Sequence, residues 1–305
     1  MSSAPPIFLS IIICSRNRAH EIVNCLPGIA SQAKNFSDVE VIVVDNGSTD
    51  NTREVVNEFG TKLQYPFRYI YEGIPGLCQA RNRGRAEAKG TVLAYLDDDS
   101  LLKEGWIERV RTHYLEGKSD CLGGKVSVDL GGEMPFQFDE SMAWFFMASN
   151  MGEKPRQLAA PEHPIGCNMS FTSKVFDAIN GFNTNLKLYG DETDFFRRVY
   201  EKGFTVYYDP AVEVSQFIPA ERLTKEELKD KSYKWGKGSA THWLLKTNSG
   251  VKRIMKMTEF SARTIYMAFM SRLRGNFGGF YTYWYNRGYL AQLFKGLETD
   301  KRKTS

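Results

Sequence analysis

The 305-residue chain has only five cysteines, at positions 14, 25, 78, 121 and 167. None stands in a C-x-x-C pair or at another metal-ligand spacing, which excludes the usual thiolate zinc sites. The odd, scattered set is no disulfide framework either, and it fits a reducing compartment. No uninterrupted apolar run reaches about 18 residues, so no helix is expected to span a bilayer. No basic stretch with an apolar core opens the chain, so no signal peptide is expected. No internal repeat occurs. Glycine-rich phosphate loops are also missing. Cys14 to Arg18 contains no Gly, and Gly73-Ile74-Pro75-Gly76 carries a Pro inside, which excludes a dinucleotide fingerprint.

What is present reads as an ordinary globular protein, 42% hydrophobic and 25% charged. The net charge of +4 is unevenly spread. Residues 225–305 hold 17 Lys/Arg against 6 Asp/Glu, while residues 1–224 hold 23 against 30. A basic tail on an acidic body is expected to meet an anionic partner. Nothing points to nucleic acid.

Three short runs, residues 7–14, 39–44 and 91–96, are nearly continuous in β-branched and aliphatic residues and predict buried parallel strands. Helical spacing predicts helices over 19–33, 51–59 and 77–88, with a further strand over 67–71. Strand–helix alternation of this kind predicts a doubly wound α/β sheet. Later strands are expected over 123–128, 166–171 and 205–209, a helix over 191–203, and basic helices from Thr224 onward.

In open sheets of this class ligands bind at the carboxyl ends of strands. Three polar clusters fall there: Ser15-Arg16-Asn17-Arg18, Asp45-Asn46-Gly47-Ser48-Thr49-Asp50 and Asp97-Asp98-Asp99. Three adjacent carboxylates repel one another unless a positive group sits among them. Hard divalent cations such as Mg²⁺ or Mn²⁺ prefer carboxylate and phosphate oxygens together. An acidic loop or a helix cap at Asp99-Ser100 is the structural alternative. Asn46 to Asp50 also suits a turn that caps the next helix. Gly190-Asp191-Glu192-Thr193-Asp194 opens a helix. Its acids suit the helix dipole, and one of them also suits a general base. Arg81 in Arg81-Asn82-Arg83-Gly84-Arg85 is a candidate phosphate contact. Arg83 and Arg85 read as a solvated helix face.

Taken in order, LSIIICSRNR, VIVVDNGSTD, GLCQARNRGRAEAKGTVLAYLDDDS, GCNMSFTSKVFDAINGF and YGDETDFFRRVYEKG resemble the family 2 inverting glycosyltransferases with a GT-A fold. The resemblance covers roughly residues 8–220. It implies an enzyme that moves a sugar from a nucleotide-diphospho-sugar to an acceptor hydroxyl with a divalent metal, Mn²⁺ or Mg²⁺. It implies a GT-A domain over 7–224 and a basic, aromatic-rich helical extension over 225–305. Asp45 or Asn46 would hold the base or ribose, with Ser15, Arg16, Arg81, Asp97 and Asp98 also on the donor. Asp97 and Asp99 match the D-x-D motif, with Asp99 as metal ligand. Glu192 would be the general base with Asp191 beside it. Gly166, Asn168 and Met169 would line the acceptor side.

Three positions depart from the pattern. Asn46 replaces a second Asp, Arg16 an aromatic residue, and Gln216 a His that would reach the metal or phosphates. UDP is the default nucleotide under this pattern, with GDP and dTDP as alternatives, and Gln216 would offer its carbonyl oxygen to the metal. A softer resemblance, at Pro219 to Thr224, Tyr233 and Gly236 to Ser239, points to exported-polysaccharide or cell-surface glycan synthesis. A glycan or lipid-linked acceptor follows, as does a cytoplasmic enzyme held on the inner face of the plasma membrane. Residues 240–305 are expected at that anionic surface. Ile254, Met257, Ile265, Phe269 and Leu273 form an apolar stripe among Lys and Arg, followed by the aromatics Phe277 to Tyr289. Two other classes compete. A non-catalytic nucleotide-sugar-binding protein would lack a base such as Glu192. A nucleotidyltransferase would carry a glycine-rich phosphate loop after the first strand.

Overall fold

The computed structural model describes residues 5–135, 145–186, 190–247, 249–274 and 277–295. Within helices it leaves undescribed the side chains of 242, 245, 246, 267–274 and 277. The chain forms two compact units. The first draws on Met1–Asp129, Ala143–Asn185 and Asp191–Phe217. The second draws on Leu130–Met142, Leu186–Gly190 and Ile218–Ser305.

The first unit is built on one mixed sheet. Its strands are β1 (Leu9–Ser15), β2 (Val39–Asp45), β3 (Phe67–Tyr71), β4 (Val92–Asp97), β5 (Ser100–Leu102), β6 (Cys121–Leu130), β7 (Arg156–Gln157), β8 (Asn168–Thr172) and β9 (Val206–Ile218). The sheet order is β3-β2-β1-β4-β8-β6-β9-β5, with β7 added on β9. The four strands β3, β2, β1 and β4 run parallel. From β4 the sheet turns antiparallel through β8 and β6, and β5 and β7 pair antiparallel with β9.

The parallel half follows from the sequence. β1 and β2 are almost wholly buried, so their aliphatic runs need no polar face. Helices α1 (Ala19–Ala33), α2 (Thr52–Gly60) and α3 (Leu77–Glu87) are the crossovers. Ile22, Leu26 and Ile29 of α1 pack into the same core as Ile11, Val41 and Ala94. Four of these elements fall outside the sequence expectation: β5, α4 (Trp106–Leu115), β7 and α5 (Ser173–Ala178). β5 is only three residues long and has too little pattern to read, yet it places Ser100 opposite Gln216. The strand expected at 205–209 extends to Ile218 because β9 collects partners along its length. Helix α6 runs over Asp191–Glu201.

The second unit holds α7 (Lys225–Lys246), α8 (Gly250–Arg274) and α9 (Phe277–Lys295). Among the described residues no helix is long and apolar enough to cross a membrane. The side chain of Thr224 caps α7 by accepting from the Glu227 amide at 3.3 Å. Helices α7 and α9 approach through two glycines. A Cβ at Gly236 would stand 1.9 Å from the Tyr285 carbonyl oxygen, and one at Gly288 would stand 2.0 Å from that of Tyr233. Only glycine permits backbones this close.

This contact sets the sign of a substitution. Alanine is favoured over glycine in a helix by about 1 kcal/mol. Gly288→Ala is nevertheless expected to destabilise the protein, because overpacking against fixed backbone costs about 1–3 kcal/mol. Thermal melts followed by far-ultraviolet circular dichroism check this. A raised midpoint would contradict the close approach.

Candidate active site

The parallel strands deliver their polar ends to one side of the sheet. The loops after β1 and β2 are stitched together there. The Asn17 amide donates to Ser48 Oγ at 2.9 Å, and Asn17 Oδ1 accepts from the Thr49 amide at 2.6 Å. Asn17 has φ 54°, a left-handed conformation that Asn tolerates better than most residues.

Asp45 ends β2 in a buried position. Its Oδ1 accepts from the Ser48 amide at 2.8 Å and its Oδ2 from the Tyr69 hydroxyl at 2.6 Å. Asn46 is turned into the next loop. Its Nδ2 donates to the Glu72 and Ile74 carbonyls at 3.2 and 2.7 Å, and its Oδ1 accepts from the Gly76 amide at 2.7 Å. The Asn46 side chain therefore shapes the Glu72 to Gly76 loop. An Asp here would lose both donated bonds.

The acidic triplet after β4 divides into two settings. Asp98 is buried: it accepts from Ser15 Oγ at 2.6 Å and pairs with Arg18 Nε at 2.8 Å. Burial pushes its carboxyl up to about 6 against the pull of Arg18 and Ser15. Asp99 meets Arg18 Nη2 at 2.6 Å and Gln216 Nε2 at 3.3 Å. Arg18 thus compensates two of the three carboxylates. The sequence reading placed Arg18 in the strand-end cluster but gave it no role, because nothing in the local pattern says which acid a nearby cation will meet. Arg16 is exposed.

Asp97 faces a different guanidinium. Arg81, on α3, is almost wholly buried. Its Nη2 lies 3.9 Å from Asp97 Oδ1, and its Nη1 lies 3.5 Å from Glu192 Oε1 and pairs closely with Asp191 Oδ2. The Phe182 ring lies 5.2 Å from the Arg81 Cζ, and the Tyr95 hydroxyl donates to the Arg81 carbonyl at 3.0 Å. One side chain therefore links the β4 end to the start of α6, where Asp191 lies 110 residues beyond Arg81. Asp191 is buried, and burial first and Glu192 second push its carboxyl up. Glu192 keeps 17% of its side chain exposed. Arg83 is exposed, as expected of a solvated face, and pairs with Glu87, whereas Arg85 is half-buried and pairs with Asp177.

Gly166 is packed into this network. A Cβ there would stand 2.1 Å from Glu192 Oε1 and 2.3 Å from Arg81 Nη2. The neighbouring Asn168 and Met169 lie inside the fold. Asn168 accepts from Trp106 Nε1 at 3.0 Å and donates to the Lys125 and Val212 carbonyls at 3.0 and 2.8 Å. Met169 is buried between β4 and β6. Of the three residues expected on the acceptor side, Gly166 alone touches Glu192 or Arg81. Burial pushes the Cys167 thiol well up, so it supplies no thiolate. His163, which the sequence reading passed over, ties this segment to α6. Its ring stacks on Phe196 with centroids 5.7 Å apart. Its Nδ1 lies 2.9 Å from the Pro164 carbonyl and its Nε2 3.1 Å from Thr193 Oγ1. The carbonyl can only accept, so Nδ1 donates to it.

Among the described residues no group of three His, Cys, Asp or Glu side chains is disposed to hold a metal. The set at hand is two carboxylates, Asp97 and Asp99, with the Gln216 amide beside Asp99. The carboxylate oxygens suit Mg²⁺ or Mn²⁺ as part of a shell that diphosphate oxygens would complete, whereas Gln216, expected to offer its carbonyl oxygen, donates from Nε2 to Asp99.

Comparison with known proteins bears on the family and the fold. The profile of "Glycosyl transferase family 2" matches residues 10–179. A second profile, "N-terminal domain of galactosyltransferase", matches residues 155–222. The chain is 30% identical to glycosyltransferase AglE of Haloferax volcanii over 247 residues, covering 80% of this chain and 77% of that protein. It is similar in fold to S. aureus TarS 1-349 in complex with UDP-GlcNAc, with TM-score 0.55 and 17% identity over 75% of this chain and 66% of that one. It is also similar in fold to the mannosyltransferase PcManGT of Pyrobaculum calidifontis in complex with GDP-Man and Mn²⁺. There the TM-score is 0.56 and the identity 15%, over 94% of this chain and 72% of that one.

The buried guanidinium makes a stability prediction. Removing one partner of a buried ion pair costs about 3–5 kcal/mol, because the remaining charges are left uncompensated. Arg81→Met should therefore melt well below the wild type in calorimetry. Arg83→Met, on the exposed face, should change stability by less than about 0.5 kcal/mol. Equal melts for the two variants would contradict the central role of Arg81.

Proposed function

Because the chain belongs to glycosyl transferase family 2 and has the α/β GT-A fold, we propose that this nucleotide-sugar glycosyltransferase transfers with inversion and metal assistance, with Glu192 as general base. The observation that carries the reading is the Arg81 network. It holds the D-x-D residue Asp97 and the Asp191–Glu192 pair around one guanidinium at the strand ends.

In this reading the donor lies across the carboxyl ends of β1, β2 and β4. Asp45, oriented by Tyr69 and Ser48, accepts from the ribose or base. UDP remains the default nucleotide, with GDP and dTDP as alternatives. Asn46 acts on the donor through the loop it shapes. Asp97 and Asp99 would hold the divalent ion, with Gln216 contributing only where its carbonyl oxygen turns to the ion, and the ion when bound offsets the charge of the leaving diphosphate. Asp98 positions Ser15 and Arg18 beside them. The acceptor hydroxyl approaches past Gly166. Glu192 takes its proton as the new glycosidic bond forms and the sugar–phosphate bond breaks on the opposite face. Glu192 suits this role better than Asp191, whose carboxylate is held by Arg81 in the interior while Glu192 keeps an exposed edge. The acceptor is a glycan or lipid-linked hydroxyl in cell-surface glycan synthesis, met at the cytoplasmic leaflet.

Two measurements test the assignment. Glu192→Gln should bind donor nucleotide normally and transfer sugar at least about 100-fold more slowly, the scale of a lost general base. Asp191→Asn should do less, and the reverse order would exchange the two roles. Asp99→Ala should lose divalent-dependent UDP binding in calorimetry while its melt stays cooperative. Unchanged affinity would remove Asp99 from the metal site.

A further inference from the structure

The three helices of the second unit do not share out their apolar surface as the sequence suggests. The stripe expected through Ile254, Met257 and Ile265 is divided, and the side chains of Phe269 and Leu273 lie outside the described residues. Met257 packs inward against the cluster of Phe260, Tyr289 and Leu293. Phe260 stacks on Tyr289 with ring centroids 3.9 Å apart. The Arg253 guanidinium is also committed inward, donating to the Leu293 and Phe294 carbonyls at 2.6 and 2.9 Å at the end of α9. Aromatic residues of α9 expected at the lipid interface are instead half-buried or buried, among them Tyr281, Tyr285 and Tyr289.

The opposite face of α8 is a different surface. Val251, Ile254, Met255, Ile265 and Tyr266 are all exposed, Val251 by 69% and Ile265 by 74%. They recur at three- and four-residue steps, with the exposed Thr258 and Ala262 filling the interval, so they form one continuous stripe along the helix. Lys252, Lys256 and Arg263 follow one edge of that stripe at the same helical spacing. Glu259 lies on this edge too and pairs with Lys256 at 2.9 Å, which leaves Lys252 and Arg263 as its unbalanced charges among the described acids. A water-exposed apolar stripe this long, with cations along its edge, is unusual on a soluble surface.

We propose that this outward face of α8 is the membrane contact of the protein, lying in the headgroup region of an anionic bilayer with its apolar residues among the acyl chains. Charge selects the occupant. Residues 225–305 carry 17 Lys/Arg against 6 Asp/Glu, so a second copy of this segment would bring like charge to like charge, whereas anionic lipid offers the complement. The Lys256 ammonium is held at the edge of the stripe, 5.2 Å from the Phe260 ring centroid and paired with Glu259. This deepens the membrane reading given above and does not depend on the transfer chemistry.

Flotation and co-sedimentation of the full chain with vesicles decide the matter. With about 30% phosphatidylglycerol in phosphatidylcholine the protein should bind at low salt and release at about 0.5 M salt, where charges are screened within a few ångströms. Pure phosphatidylcholine should retain much less of it. Ile254→Asp with Ile265→Asp should lower the partition coefficient by about tenfold or more. Lys252→Gln with Arg263→Gln should weaken binding to anionic vesicles and leave the weak phosphatidylcholine binding unchanged. Both double variants should keep the wild-type melt and nucleotide affinity, which separates this result from any failure of the proposed chemistry. Three outcomes would overturn the proposal. The first is a wild type that ignores anionic vesicles at low salt, and the second is an Asp variant that binds them fully. The third is a dimer in ultracentrifugation that the Asp variant converts to monomer, which would make a second copy the occupant.

Discussion

The site depends on the position of the Arg81 guanidinium. Asp97, Asp191 and Glu192 converge from distant parts of the chain, and carboxylates so close would repel without a cation among them. Arg81 is buried, so its charge is weakly screened and its own burial is tolerable only while those acids surround it. Its fixed fork also reaches several acceptors at once, which a lysine would not do. Tyr95 and Phe182 hold it in place, and Gly166 leaves the room that any larger residue would fill.

Arg18 does the same on the other side of β4. It balances Asp98 and Asp99, while Ser15 supplies a further hydrogen bond to Asp98. The triplet is therefore not one acidic patch. Asp98 is a buried anchor, Asp99 faces Gln216, and Asp97 belongs to the Arg81 network. Adjacent residues at a strand end point in different directions, and this geometry gives one short motif three different settings.

In the second unit the governing constraint is steric. Two glycines bring α7 and α9 to backbone contact, and the aromatic residues of α9 fill the space around that contact. Packing consumes the aromatic surface and leaves α8 with its outer face open. An apolar residue type does not tell which way it points. Ile254 and Met257 sit three residues apart on one helix and meet different surroundings, water in one case and the Phe260 cluster in the other.

The sequence by itself determined the parallel half of the sheet and where its polar strand ends lie. Aliphatic runs ended by polar clusters are local signals, and each run needs only its neighbours in the chain to declare itself. It also marked Asp45, the acidic triplet and the Asp191–Glu192 pair, because carboxylates concentrated at strand and helix ends stand out where a fold would otherwise avoid them. Tertiary structure alone decided the partners. Nothing near Arg81 in the chain names Asp191, 110 residues away. Nothing near Asn46 or Asn168 shows that their amides are spent on backbone carbonyls. Strand β5 was invisible because three residues carry no period, and its place comes from pairing with β9. Hydrogen bonds, ion pairs and close contacts join residues by distance in space, and that distance is set only when the whole sheet has formed.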